Sequence, residues 1–386
     1  MKYTSIILIS LLIATGCKEP GNKYLTITQE QGIETTSIDF TKIQATRDSL
    51  THDELWPLSR LTDDIQVIRL ETGDNCLVSG KAIYGIEDSC IVVIQNDQIM
   101  TFDREGHFQH TVAVFGRAPE EFGKFQDARV KDGKVYLLDE FGKGKIFSVK
   151  KGEGYSTFQG STKDFWYNSF LPLDHGQILM VPFKCESTKN LFYIQDADGK
   201  YLQGMPCPPN QDILQYNGRK LVSQVGEEYR YAPFTCDTVF QIVQEDLVPK
   251  WIFKVGGQQE VEVEGETSRF LFVRVKTVTN RNVKDGVTYT SFSTESYCYD
   301  KENKKLSTFG NIWDDHFASI YRGVQELHIQ NGEWFYWVYP ASMLAESIPD
   351  ILLSEKVDDK IKERLKDWEG KISLDDNPVL LVGRLK

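Results

Sequence analysis

Short apolar runs alternate with Gly- and Asp-rich turns along this chain, and their order repeats. The run Cys90-Ile-Val-Val-Ile94 leads through Gln95–Gln98 to Ile99-Met-Thr-Phe102, then through Asp103-Arg-Glu-Gly106 to Phe108–Val112. The same order returns from Val135–Leu138 through Lys145–Val149 to Tyr155–Phe158. It returns again from Ile178–Val181 through Leu191–Ile194 and the turn Asp196-Ala-Asp-Gly199 to Lys200-Tyr-Leu202, and from Thr238–Val243 to Trp251–Val255. Runs this short, rich in β-branched and aromatic residues, read as strands. With Phe102, Phe147, Ile194 and Phe240 as markers of the third strand of each unit, the spacings are 45, 47 and 46 residues. A period in that range, with four short strands per unit, is the signature of a β-propeller. The fifth unit is stretched, Tyr299 lying 59 residues after Phe240, and the sixth is built around Glu333–Tyr339. The pattern predicts an all-β protein, a six-bladed β-propeller of four-stranded antiparallel blades.

Two stretches depart from the strand pattern. Within 341–376, Ile351-Leu-Leu353, Val357, Ile361, Leu365 and Trp368 recur at helical spacing among lysines and acids, which predicts an amphipathic helix of about four turns inserted in the last blade. At the other end, Lys2 precedes an apolar run Ile6–Ile13 that closes on Ala14-Thr-Gly-Cys17. This is the pattern of a secretory signal, too short for a permanent membrane span. Its ending resembles a bacterial lipobox, which implies lipid attachment at Cys17. The domain reading is a signal peptide at 1–16, a lipidated tether at 17–23 and the propeller at 24–386. The closing strand Pro378–Gly383 is expected to pair with Ile65–Leu70, so that N- and C-terminal strands close the ring and remove an exposed sheet edge.

Charge narrows the partners. The formal net charge is −12, and loss of Lys2 with the signal makes it −13. Such a chain has no electrostatic ground for binding nucleic acid or anionic lipid, so the N-terminal lipid is the expected membrane contact. Past Cys17, six cysteines remain: Cys76, Cys90, Cys185, Cys207, Cys236 and Cys298. An exported chain permits bridges between them, but their wide spacing and apolar neighbours suit buried free thiols equally well, and no C-x-x-C suggests zinc.

Four segments resemble a known family. Ile68-Arg-Leu-Glu-Thr72, Phe115-Gly-Arg-Ala-Pro-Glu-Glu-Phe122, Cys236-Asp-Thr-Val-Phe240 and Asp376-Asn-Pro-Val-Leu-Leu381 are similar to motifs of the six-bladed β-propeller lipoproteins of Bacteroidetes, in the same order over residues 60–386. Members often carry Gly-x-Gly-Pro-Gly-Glu where residues 116–121 read Gly-Arg-Ala-Pro-Glu-Glu. The resemblance implies the fold and an envelope location and supplies no catalytic residues. Lys18 replaces the aspartate that favours inner-membrane retention, and Lys18-Glu19 resembles the surface-export signals of such lipoproteins. An outer-membrane anchor is implied, with the leaflet open.

No catalytic motif stands out. His107 and His110 flank Phe108 on an outer strand, pointing to opposite faces, and Asp196-Ala-Asp-Gly199 lacks the rest of a calcium loop. No metal, cofactor or catalytic residue is therefore expected. Loops that join one blade to the next line one face of a propeller, where ligands bind. Gly116–Phe122, Ser161–Tyr167, Cys207–Arg219, Gly256–Thr267 and Gly310–His316 are expected there. They carry Arg117, Glu120, Glu121, Trp166, Tyr167, Arg219, Trp313, Asp314 and His316, aromatics beside charges that suit sugar rings or a peptide. Three functions follow: a non-enzymatic binding or scaffold protein for a glycan, peptide or envelope protein; a metal-dependent hydrolase or lyase with a site on the axis; and a structural subunit of an outer-membrane complex docking through the 341–376 helix. The absence of a matched acid, base and nucleophile favours the first.

Overall fold

The structure, a computed structural model, describes residues 24–30, 32–43, 50–79, 81–160, 167–183, 189–207, 222–232, 237–243, 246–284, 287–316, 328–355 and 357–386. The N-terminal part supplies β1 (Leu25–Glu30), β2 (Ile33–Asp39), the short helix α1 (Phe40–Ile43), β3 (Thr51–Pro57) and β4 (Ile65–Arg69). Blade 1 is β5 (Ile83–Ile86), β6 (Ile91–Ile94), β7 (Gln98–Phe102) and β8 (Phe108–Val114). Blade 2 is β9 (Asp127–Lys131), β10 (Lys134–Leu138), β11 (Lys143–Ser148) and β12 (Tyr155–Gln159). Blade 3 is β13 (Tyr167–Pro172), β14 (Ile178–Pro182), β15 (Asn190–Gln195) and β16 (Tyr201–Pro206). Blade 4 is β17 (Val222–Val225), β18 (Glu228–Tyr231), β19 (Thr238–Val243) and β20 (Asp246–Lys254). Blade 5 is β21 (Gln259–Glu266), β22 (Phe270–Lys284), β23 (Val287–Asp300) and β24 (Lys305–Trp313). Blade 6 is β25 (His328–Gln330), β26 (Trp334–Tyr339), β27 (Val379–Arg384) and, as its outer strand, β4. The markers Phe102, Phe147, Ile194, Phe240 and Tyr299 all lie on third strands, as the spacing requires.

Closure follows the expected pairing. Strand β27 runs antiparallel to β4, with Val379 opposite Arg69 and Gly383 opposite Ile65. The stretched unit is explained by β22 and β23, strands of 15 and 14 residues that continue as a two-stranded ribbon beyond the end of β21.

The uninterrupted apolar runs have a packing cause. Each middle strand of a blade is covered on both faces by the neighbouring blades, so successive side chains enter different cores. Ile91 and Val93 join the core between blades 6 and 1, while Val92 and Ile94 join that between blades 1 and 2. Leu380 and Val382 face blade 1, and Val379 and Leu381 face blade 5. Outer strands touch solvent, and Tyr155, Ser156 and Thr157 of β12 are exposed accordingly.

Residues 24–57 add a feature that the period does not contain. Strand β2 pairs in parallel with β20, placing the β1–β2 hairpin on the outer edge of blade 4. Strand β3 pairs in parallel with β24 on the outer edge of blade 5. The N-terminal part thus straps two blades before entering the sixth and covers two sheet edges. Ile38, Phe40 and Ile43 sink into the core between blades 4 and 5, and Trp56 and Leu58 into that between blades 5 and 6.

The late insertion forms two helices in place of one, α2 (Ala341–Leu353) and α3 (Asp359–Lys366). The break falls where Asp358 restarts the helix as a cap, its carboxylate accepting from Lys360 N at 2.8 Å. Leu344, Ile348 and Leu365 are buried in the core of blades 5 and 6, and Leu352, Ile361 and Trp368 pack against it, whereas Leu353 is 83% exposed. The apolar side of the insertion is therefore spent on the propeller, and the stripe needed for docking through this helix is not left on its surface. No helix among the described residues is long and apolar enough to cross a membrane. Cys76, Cys90 and Cys298 are free thiols, and Cys207 is disulfide-bonded. Cys185 and Cys236 lie outside the described residues.

Candidate functional site

One end of the propeller axis is braced by the turns that follow the inner strands. The Gln330 side chain of blade 6 pairs with both Ile86 N (2.7 Å) and Ile86 O (3.0 Å) of blade 1. Glu87 accepts from Gly133 N of blade 2 at 3.3 Å. Lys131 of blade 2 donates to Asp174 of blade 3 at 2.9 Å and to Gln224 of blade 4 at 3.4 Å. Gly332 of blade 6 sits so close to blade 4 that a Cβ there would lie 2.7 Å from Val225 Cα and 3.2 Å from Gln224 O. Blades 2, 4 and 6 thus meet at Gln224.

Charged groups near the axis neutralise one another. Asp127 accepts from Arg129 at 3.0 Å and from Ser169 Oγ of blade 3 at 2.8 Å. The Lys131 ammonium holds the Asp174 carboxyl below its ordinary range. Arg230 of blade 4 donates to Glu266 of blade 5 at 3.3 Å, and Lys301 reaches the other carboxylate oxygen at 2.8 Å. Among the described residues no group of three or more His, Cys, Asp or Glu is placed to hold a metal ion. His107 is exposed, whereas His110 is half-buried with Nδ1 3.1 Å from Thr101 Oγ1. Asp196 closes a turn, its carboxylate accepting from Asp198 N and Lys200 N, as Asp103 and Asp300 do in blades 1 and 5.

The inter-blade connections lie at the opposite end, and two are shorter than the sequence suggests. Residues 259–266 form β21, which pairs with β22, Val261 opposite Val275, and packs Val261 and Val263 against the core between blades 4 and 5, so that connection contracts to 255–258. Gly310–Trp313 complete β24. Trp166 and Arg219 fall outside the described residues. Arg117 and Glu120 are exposed on the 115–126 connection. Glu121 turns inward there: it accepts from Ala118 N at 2.8 Å, Gly116 leaves it the space a side chain would fill, and Lys145 binds Pro119 O and Glu121 O. Tyr167 is buried between blades 2 and 3, its hydroxyl 2.6 Å from that of Tyr193. Trp313 ends β24 half-buried. Asp314 is buried, accepting from Tyr339 Oη at 2.5 Å and from His316 N at 2.8 Å. The structure therefore leaves Arg117 and Glu120 exposed on the 115–126 connection and sends Tyr167 and Asp314 into packing.

Two clefts flank the segment 58–65. The smaller, of about 330 Å³, is lined by Asp63, Asp64, Asp315, His316 and Arg364. The larger, of about 500 Å³, lies between blades 5 and 6 and includes Arg60, Arg269, Lys305 and Lys386. Its residues come from the strap, two blade turns and the C-terminal segment, so no local motif announced it.

The sequence profile of DUF4934, a domain of unknown function, matches residues 40–384. The chain belongs to the DUF4934 family. No curated protein matches it. Among solved structures, a Bacteroides fragilis NCTC 9343 protein, BF0058, named for inferred export, shares 16% identity with a TM-score of 0.58, covering 87% of this chain and 100% of its own. That likeness shows the fold. Virginiamycin B lyase from Staphylococcus aureus (10% identity, TM-score 0.40, 83% and 99% covered) and the Pan2 WD40 domain of Neurospora crassa (10%, 0.38, 73% and 83%) are more distant.

His316 gives this DUF4934 chain a pH signature. Burial and then the Arg364 guanidinium, 3.3 Å from its Nδ1, push the imidazole pKa down. A histidine depressed in the folded state takes its proton more readily when unfolded, so it subtracts stability as pH falls below its ordinary value of about 6.5. An NMR titration is expected to place His316 below that value. Arg364→Gln is expected to move it upward and to lessen the acid-side loss of stability.

Proposed function

We propose that this protein is a lipid-anchored cell-envelope binding protein that holds its ligand without altering it. The observation that carries this reading is the commitment of the axial carboxylates. Asp127, Asp174 and Glu266 each accept from a cation, and through Ser169, Lys131 and Arg230 each ties one blade to the next, so these carboxylates, among the described residues, already serve the ring. The braced end leaves the connection-lined face, with Arg117 and Glu120, for a glycan, peptide or partner protein. The signal-like residues 1–16 and the lipobox-like Cys17 support anchoring at the outer membrane of a Bacteroidetes-type envelope, and the inferred export of the B. fragilis relative agrees with that.

The test is a glycan and peptide array followed by mass spectrometry of whatever is retained. The expected outcome is a ligand recovered intact, with retention reduced by Arg117→Ala and Glu120→Ala. A cleaved or rearranged ligand overturns the reading in favour of a hydrolase or lyase. In cells fed labelled palmitate, label is expected in the wild-type chain and lost in Cys17→Ala.

A further inference from the structure

The larger cleft lies away from the connection-lined face, beside the turns that join first to second and third to fourth strands of blade 5. Its volume of about 500 Å³ falls within the range of small-molecule sites, roughly 300–1,000 Å³. Four cationic side chains, Arg60, Arg269, Lys305 and Lys386, line it with two carboxylates, Asp53 and Asp300. Lys386 is paired with Asp63 at 2.6 Å and Arg269 also with Glu302 at 3.3 Å, so Lys305 is the cation of this lining without an ion pair among the described residues.

Its cations are preorganised. Arg60 is held 5.7 Å from the Trp56 ring centroid and paired with Asp53 at 2.5 Å. Arg269 lies 5.0 Å from the Phe270 centroid and 3.0 Å from Asp300. The Arg60 pair leaves over some of the five N–H donors of its guanidinium, whereas Arg269 is held on both edges, by Asp300 and by Glu302 at 3.3 Å. Lys305 is exposed and makes no ion pair among the described residues. Concave walls of low dielectric strengthen the field of such a set.

We propose that this cleft binds a small sugar acid. A carboxylate of the ligand pairs with Lys305 and the free edge of Arg60. Ligand hydroxyls donate to Asp53 and Asp300 and exchange hydrogen bonds with Ser307. A polyhydroxylated monoanion or dianion matches both signs of the lining, whereas an acidic peptide brings carboxylates toward Asp53 and Asp300 with few hydroxyl donors to offset them. The guanidinium groups already occupy the ring faces, so recognition rests on charge and hydrogen bonding rather than on stacking. This inference is independent of the connection-lined face.

Isothermal titration calorimetry of the purified protein decides it, with digalacturonate, the neutral disaccharide galactobiose and triglutamate as probes. Digalacturonate is expected to bind, more weakly as salt rises, while galactobiose and triglutamate do not. Lys305→Glu, a change at an exposed side chain, is expected to leave thermal stability intact and to weaken digalacturonate about tenfold or more, the scale of one charge-assisted hydrogen bond. Arg60→Ala is expected to act in the same direction, and Arg117→Ala on the far face to have no effect. Absence of digalacturonate binding, equal binding of galactobiose, indifference to Lys305→Glu, or tighter binding of triglutamate overturns the proposal.

Discussion

Replacing Glu266 with alanine is expected to cost the fold about 3–5 kcal/mol, the scale for breaking a buried ion pair from one side. Glu266 ends the inner strand of blade 5 with its side chain 5% exposed. It is shared by Arg230 of blade 4, itself 3% exposed, and by Lys301 in the third turn of blade 5. Burial opposes ionisation of this carboxyl, but Lys301 and Arg230 together hold its pKa below the ordinary glutamate value. Burial and the like charge of Arg230 press the Lys301 pKa down in spite of Glu266. Removing the carboxylate would leave two desolvated cations side by side with only Glu228, 2.5 Å from Arg230, to balance them. Urea unfolding should show the loss as a lower midpoint. Arg230→Met combined with Glu266→Leu should recover only the part owed to Arg230, because Lys301 is still left without its carboxylate. The pH sign follows: a depressed glutamate contributes its stability above its unfolded value, about 4.3, and loses it as pH falls through the folded value. The acid limb of the wild-type stability curve should therefore flatten in the double variant.

The ring was legible in the sequence because its cause is periodic. Two-sided burial of the middle strands forces runs such as Ile91–Ile94 and Ile178–Val181, and the third-strand markers keep their spacing because each blade must span the same radius. Closure by β27 was legible for the same reason. The strap was not, since β1–β3 add once, in parallel, to outer edges, and no repeat predicts a single event. Strand β21 was hidden by composition: Gln259-Glu-Val-Glu-Val-Glu-Gly-Glu266 reads as a charged loop until Val261 and Val263 are seen to share the sheet face against the core of blades 4 and 5.

The candidate site was less legible, and particular residues show why. Asp314 and Tyr167 sit at the blade ends that the period correctly locates, yet whether a side chain at a blade end turns out to the loop face or back between blades depends on a partner in another blade. Asp314 finds Tyr339 and Tyr167 finds Tyr193, both more than twenty residues away in the chain. Glu121 shows the local counterpart, a carboxylate captured by its own loop through Ala118 N. The larger cleft draws Arg60, Arg269 and Lys305 from three separate segments, and only the strap brings them together.

That strap carries the second large effect. Trp56→Ala is expected to destabilise the protein by about 3–5 kcal/mol, the range for deleting a large buried aromatic. Trp56 is 1% exposed and stands edge-on to Phe270 at 5.4 Å and Phe272 at 5.2 Å, filling the core that blades 5 and 6 share with the inserted helices. Its backbone, opposite Ile312 in the β3–β24 pairing, keeps the ring from relaxing to fill the void. Arg60→Ala separates the packing of the tryptophan from the cation above it, and should cost only about 0.5–1 kcal/mol at this partly exposed position. If the strap were a loose wrapping on a self-sufficient ring, Trp56→Ala would lose little and urea unfolding would split into two transitions. A single transition with an unchanged m-value and a much lower midpoint would instead place the strap inside the cooperative unit. The second outcome is expected, because Trp56 and the closing residues Val379 and Leu381 belong to one continuous core.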